Sequence, residues 1–218
     1  MKNKRTYYHL IIDRSGSMNG HIEQTVEGVN QQIRRIKEIG ERFPEQELIT
    51  SLTLFNHRIT KAWSYIKSGL LREINYSDYR PDGNTALLDA IGITLNELQK
   101  KIGAEVENNE ASAVVVIVTD GYENASNNYT HSQVASLIGE LDQTGKWTFS
   151  YLGATLDAVE IAESLNIKKN NALHFNVNDI SQLYVKMSYS MNSYMFDKQA
   201  GRIKTDFLET EQDTENTK

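Results

Sequence analysis

The sequence predicts an α/β protein: a mostly parallel sheet with helices on both faces. Three observations carry this. Strand-like and helix-like segments alternate in the order β-α-β-β-α-β-α-β-α-β-α, the pattern of crossovers that builds parallel pairing. Ala113-Val114-Val115-Val116-Ile117-Val118 is the most apolar run in the chain, as expected of a central strand covered on both sides. Two apolar runs end in a carboxylate, Asp13 and Asp120, where a strand should hand over to a loop.

Taken in order, Tyr7 to Ile12 reads as a buried strand, followed by the polar run Asp13-Arg14-Ser15-Gly16-Ser17. Ile22, Val26, Val29, Ile33, Ile36 and Ile39 recur at steps of three and four, which predicts an amphipathic helix over about 21–39, ended by Gly40. Leu48–Phe55 and Arg58–Ile66, joined at Asn56-His57, read as an antiparallel hairpin with the second strand at an edge. After an irregular stretch, Pro81-Asp82-Gly83-Asn84 is a turn signal. A helix opening at Thr85 carries Leu87, Leu88, Ile91, Leu95, Leu98 and Ile102 on one face, and Glu105–Glu110 reads as a polar loop. Beyond the central strand, Thr130-x-x-Gln133 predicts a capping box for a helix that Gly145 stops. Trp147–Leu152 is a strand, Thr155–Leu165 a short helix, Ala172–Phe175 a short strand, and Asn178 to about Phe196 a final helix with Leu183, Met187 and Met191 inward. Residues 1–198 are therefore expected to form one domain. Residues 199–218 would hold the end of that helix and an acidic, disordered tail from Glu209 to Lys218.

Composition narrows the function. Of the 218 residues, 39% are apolar and 24% charged, values of an ordinary globular protein, and no apolar run approaches the roughly 20 residues a membrane helix needs. The net charge of -6 argues against nucleic-acid binding, which depends on clustered Lys and Arg. The absence of cysteine excludes disulfides, thiolate zinc sites and a cysteine nucleophile. Met1 to Arg5 is basic, but the apolar stretch after it is short and interrupted by His9 and Asp13, unlike a signal peptide. A cytoplasmic location is the expectation.

Asp13, Ser15 and Ser17 offer oxygens at alternate positions just past a strand's carboxyl end, the side on which open α/β sheets place their ligand crevice. Each piece has an ordinary reading when taken alone. Ser and Asp cap helices, Thr85 could do the same, and Asp120-Gly121 is a common turn. His9, His21, His57, His131 and His174 show no metal-ligand spacing.

Together the pieces form a pattern: Asp13-x-Ser15-x-Ser17, then Thr85 in Gly-Asn-Thr-Ala, then Thr119-Asp120-Gly121 after a hydrophobic strand. This closely resembles the von Willebrand factor A (integrin I-like) domain with its metal-ion-dependent adhesion site, in the manner of bacterial intracellular members, over about residues 6–197. The resemblance implies a doubly wound six-stranded sheet of order 3-2-1-4-5-6 with strand 3 an antiparallel edge. It implies that Ser15, Ser17 and Thr85 are direct metal ligands, and that Asp13 and Asp120 bind directly or through water. Neutral hydroxyls with few carboxylates suit Mg2+, or Mn2+ in its place, better than Ca2+. The function it implies is capture of a protein partner's Asp or Glu carboxylate by the ion. Tyr122, Glu123 and Asn124 would then stand on the rim and help select the partner.

Two enzyme-like or calcium-binding alternatives fail on single residues. A haloacid dehalogenase-type phosphohydrolase needs a second Asp where Ser15 stands, and an EF-hand loop needs Gly at Met18 and an acid at Gln24. A non-enzymatic binding module is expected, with a regulatory or scaffold subunit of an ATPase or a kinase and phosphatase system as the alternative.

Overall fold

The computed structural model describes residues 4–202 and 205–208. Six strands form one sheet: β1 (Arg5–Asp13), β2 (Glu47–Phe55), β3 (Ile59–Lys67), β4 (Ala111–Thr119), β5 (Trp147–Gly153) and β6 (Ala172–His174). Their order is β3-β2-β1-β4-β5-β6, with β2–β3 antiparallel and the other pairs parallel. Among the described residues five α-helices flank it: α1 (Ile22–Arg42), α2 (Leu87–Glu107), α3 (His131–Gln143), α4 (Ala158–Ser164) and α5 (Ile180–Gln199). The fold class and strand order expected from the sequence are those observed.

The period-2 alternation of the central strands sorts their side chains between two cores. Tyr8, Leu10 and Ile12 of β1 and Val114, Val116 and Val118 of β4 face α1 and α5. Tyr7, Ile11, Ala113, Val115 and Ile117 face α2, α3 and α4. Every residue of β4 is buried, which is why that run reads as continuously apolar. β3 differs: it is largely exposed, its register against β2 shifts near Leu52, and Tyr65 takes a positive φ of 57°.

Several boundaries differ from the sequence reading for physical reasons. Gly40 does not end α1, which runs on to Arg42; a Cβ at Gly40 would lie 2.1 Å from Ser68 Oγ, so this glycine permits a close approach rather than a stop. α2 begins at Leu87, not Thr85, leaving Thr85 in the preceding loop. Its last turn takes in Glu105 to Glu107, shortening the expected polar loop. The capping box of Thr130 and Gln133 is present in full. Beyond α5 the chain returns to the core, burying Phe207 against Tyr8 and Tyr194, while Asn171 holds the Phe207 N–H. The expected acidic tail at Glu209–Lys218 lies outside the described residues.

Candidate metal centre

β1 and β4 lie side by side in the middle of the sheet, where the winding reverses; β1 ends in Asp13 and Asp120 follows β4 directly. Asp13 closes β1 and is completely buried. Its Oδ1 accepts the Ser15 N–H at 2.7 Å and its Oδ2 accepts the Thr119 hydroxyl at 2.6 Å. These two bonds fix the carboxylate and turn the chain sharply after it. Ser15 and Ser17 then present their hydroxyl oxygens 3.0 Å apart, and Ser17 Oγ donates to Asp120 Oδ1 at 2.7 Å. Ser15 is buried, whereas Ser17 is exposed, so the cluster opens to solvent on the Ser17 side.

Thr85 arrives from the third segment. A Cβ placed on Gly121 would stand 3.5 Å from Thr85 Oγ1 and 3.7 Å from Ser17 Oγ, so both hydroxyls line one small space that the glycine leaves open. Thr85 is held by a reciprocal pair with the loop after β4: its N–H donates to Asn124 Oδ1 and its carbonyl accepts the Asn124 N–H. The turn before it docks on the first loop, with Gly16 N–H donating to Gly83 O and Asp82 N–H to Arg14 O. Gly83 is required there: its φ is +65°, and a Cβ would strike the His57 ring. The structure thus brings together all five residues singled out by the sequence, Asp13, Ser15, Ser17, Thr85 and Asp120.

The electrostatics leave the cluster unfinished. Burial pushes the Asp13 carboxyl up to about 6, against the Thr119 and Ser15 hydrogen bonds, and the charge of Asp120 adds to the rise. Burial also raises Asp120, opposed by the Ser17 hydroxyl and by His21. Among the described residues neither acid forms an ion pair with Lys, Arg or His. Two adjacent acids without a cation are costly, and a divalent ion would relieve both the repulsion and the burial penalty.

The donor set fits such an ion. Neighbouring ligands in an octahedron with bonds of about 2.1 Å stand about 3.0 Å apart. The Ser15–Ser17 separation has that value and the Ser17–Asp120 separation is close to it. No group of three His, Cys, Asp or Glu suited to a metal occurs among the described residues. The candidate centre is instead rich in hydroxyls, the composition that favours a hard ion retaining some water.

Supporting residues had weaker sequence signals. Tyr79 donates its hydroxyl to the Asp13 carbonyl at 2.6 Å from an irregular stretch with no readable periodicity. Asp89 in α2 accepts the backbone N–H groups of Asn127, Asn128 and Tyr129 and the side-chain amide of Asn128, thereby shaping the loop after β4. Burial pushes the Asp89 carboxyl up, but those donors outweigh it and hold it below its ordinary value. Glu123 accepts from the N–H groups of Leu88, Ala125 and Ser126. Glu123 and Asn124 are therefore tethers that position Thr85 and the start of α2, while Tyr122 projects from the rim and is 56% exposed.

A model of the von Willebrand factor type A domain matches residues 9–199. Comparison of the sequence with curated proteins returns no match. Among solved structures, proximal thread matrix protein 1 from the mussel byssus, with a zinc-occupied MIDAS motif, is similar at 15% identity and a TM-score of 0.56, covering 88% of this chain and 47% of that one. The ArnB paralog VWA2 from Sulfolobus acidocaldarius is similar at 18% identity and a TM-score of 0.56, covering 84% and 44%. The manganese-loaded TRAP protein of Plasmodium vivax is similar at 17% identity and a TM-score of 0.52, covering 84% and 73%. At these identities the likeness is one of fold, and the chain spans less than half the length of the mussel and Sulfolobus proteins.

Proposed function

The chain belongs to the von Willebrand factor type A family, and from that premise we propose that it is a divalent-metal-dependent protein-binding module. Ser15, Ser17 and Thr85 would hold the ion directly, with Asp13 and Asp120 binding it directly or through water. Such an ion supplies one service here, a coordination position open to an acidic side chain of another protein. Mg2+ is the proposed ion, since the oxygen donors are mostly neutral, and Mn2+ would replace it. One observation carries the reading: hydroxyls and acids from three distant segments meet, and the two acids have no cationic partner among the described residues.

The same reading makes the domain non-enzymatic; Phe207 and Leu208, packed in its core, extend it past the expected limit at residue 198. Ser15 stands where a phosphohydrolase would need its second acid. No described helix is long and apolar enough to cross a membrane. A cytoplasmic location, and a partner that is a protein rather than nucleic acid or lipid, belong to the proposal. Whether capture of a carboxylate serves adhesion or the assembly of an ATPase or kinase system is decided by the partner.

The test is a Mn2+ titration followed by electron paramagnetic resonance, with Mg2+ as competitor. One site is expected in the parent and none in Asp13→Ala, with circular dichroism showing both folded. Equal Mn2+ binding by the two would overturn the assignment.

A further inference from the structure

The surface around the centre is not uniform, and its two sides differ in kind. On the β5 side, Leu156 is 90% exposed and Tyr122 56% exposed. Both are held close to the centre. Tyr122 lies two residues past Asp120, and its hydroxyl donates to Asp157 Oδ1 at 3.0 Å. The loop carrying Leu156 is tied to the end of β4 by the Ala154 N–H, which donates to Thr119 O. Leu156 and Tyr122 thus both present apolar surface to solvent on this side of the centre.

On the β2–β3 side stand three arginines. Arg14 follows Asp13 and reaches Thr60 with its guanidinium; Arg58 and Arg80 are exposed. Arg80 sits between Tyr79, bonded to the Asp13 carbonyl, and the turn bonded to Arg14. None of the three forms an ion pair among the described residues, although most other arginines do. Asp82, two residues past Arg80, is engaged by the Asn56 amide.

We propose that this face recognises an extended acidic segment of a partner protein in one direction: a carboxylate at the centre, a bulky apolar residue over Tyr122 and Leu156, and further acids toward Arg14, Arg58 and Arg80. The proposal rests on the metal-dependent reading above and specifies the partner that reading leaves open. Spacing follows from the sheet. Strands lie about 4.8 Å apart and an extended chain advances about 3.3 Å per residue. The centre sits between β1 and β4, so β5 and β2 each lie about 7 Å away, and the apolar residue and the next acid fall about two or three positions to either side of the coordinated one. The apolar contact supplies affinity by burial, and the arginines set polarity and association rate.

The test pans a phage-displayed library of random dodecapeptides on the full chain in Mg2+ and elutes with EDTA. The eluted peptides should carry an Asp or Glu with Leu, Ile, Phe or Trp two or three positions to one side and a second acid to the other. A synthetic peptide from that set should bind Leu156→Asp at least tenfold more weakly than the parent and Arg58→Glu about threefold more weakly, with Mn2+ binding unchanged in both variants. EDTA-eluted peptides lacking the apolar residue, equal binding by Leu156→Asp, or no EDTA-eluted peptide from a protein that binds Mn2+ would each overturn the proposed segment while leaving the metal reading standing. Failure of the parent to bind Mn2+ would instead remove the metal reading and the proposal with it.

Discussion

The two ends of the sheet treat charge in opposite ways. At the amino ends of the strands, Arg5 lies between Glu47 and Glu105, at 2.6 and 2.5 Å, and Lys67 takes the other Glu47 oxygen. Tyr7 adds a hydrogen bond to Glu105. Lys198 at the end of α5 places its ammonium against the Arg5 carbonyl and the hydroxyls of Thr6 and Ser112, three acceptors for three protons. At the carboxyl ends, Asp13 and Asp120 are met by hydroxyls and backbone N–H groups, with no ion-pair partner among the described residues. The charges of the first end are paired within the chain, whereas the two acids of the second have no cationic partner among the described residues. Buried polar groups that satisfy one another hold a fold together, while groups left wanting mark the place where a fold acts.

The largest way to break this contrast is to remove the charge from the unfinished end. Asp13→Ala should weaken Mg2+ binding by more than about a hundredfold, so that the roughly 2.7 kcal/mol of stability the parent gains at a hundred times its dissociation constant disappears. Thermal melts with and without Mg2+ check this; an Mg2+-induced rise of equal size in the variant would erase the distinction. Next is the scaffold behind the centre. Asp89→Ala strands three backbone N–H groups and should cost about 2 kcal/mol in denaturant unfolding without Mg2+. A loss under a few tenths would mean the loop after β4 is held by other bonds.

At the finished end the effects should not respond to Mg2+. Burial pushes Lys198 down to about 7 from its ordinary 10.5. Between those values the unfolded chain holds a proton that the folded chain lacks, so stability rises with pH across this window, by at most about 1.4 kcal/mol per unit, and the penalty is complete below it. Lys198→Met should remove that slope; unfolding curves from pH 7 to 10 that run parallel for variant and parent would show that the amine titrates normally. Glu105→Gln weakens a half-exposed ion pair and should cost under about 1 kcal/mol, since solvent screens it. A larger loss would mean that the pairing of Arg5 and Tyr7 on Glu105 is cooperative.

How much of this was legible in the sequence follows from range. Strand periods, the apolar face of α1 and the capping box are local, and each was readable from a few adjacent residues. The five site residues were readable because three short motifs occur in a fixed order, which carries more information than any one of them. What escaped is long-range. Gly40 looked like a helix stop because glycine serves both as terminator and as a place for close approach, and only Ser68 decides between them. Glu123 and Asn124 looked like free rim residues because the N–H groups they accept from, in Thr85 and Leu88, lie more than thirty positions away. Phe207 follows a helix end in a polar stretch, and nothing beside it announces that Tyr8 and Tyr194 complete its surroundings.

The irregular edge strand has a further consequence. β3 leaves one side of its backbone free for another chain to pair with, yet the register shift near Leu52 and the left-handed Tyr65 bend that line, and Lys61 and Lys67 charge it. Two copies meeting there would find no straight ladder to share. The bent, irregular border of β3 is a poor template for edge-to-edge pairing.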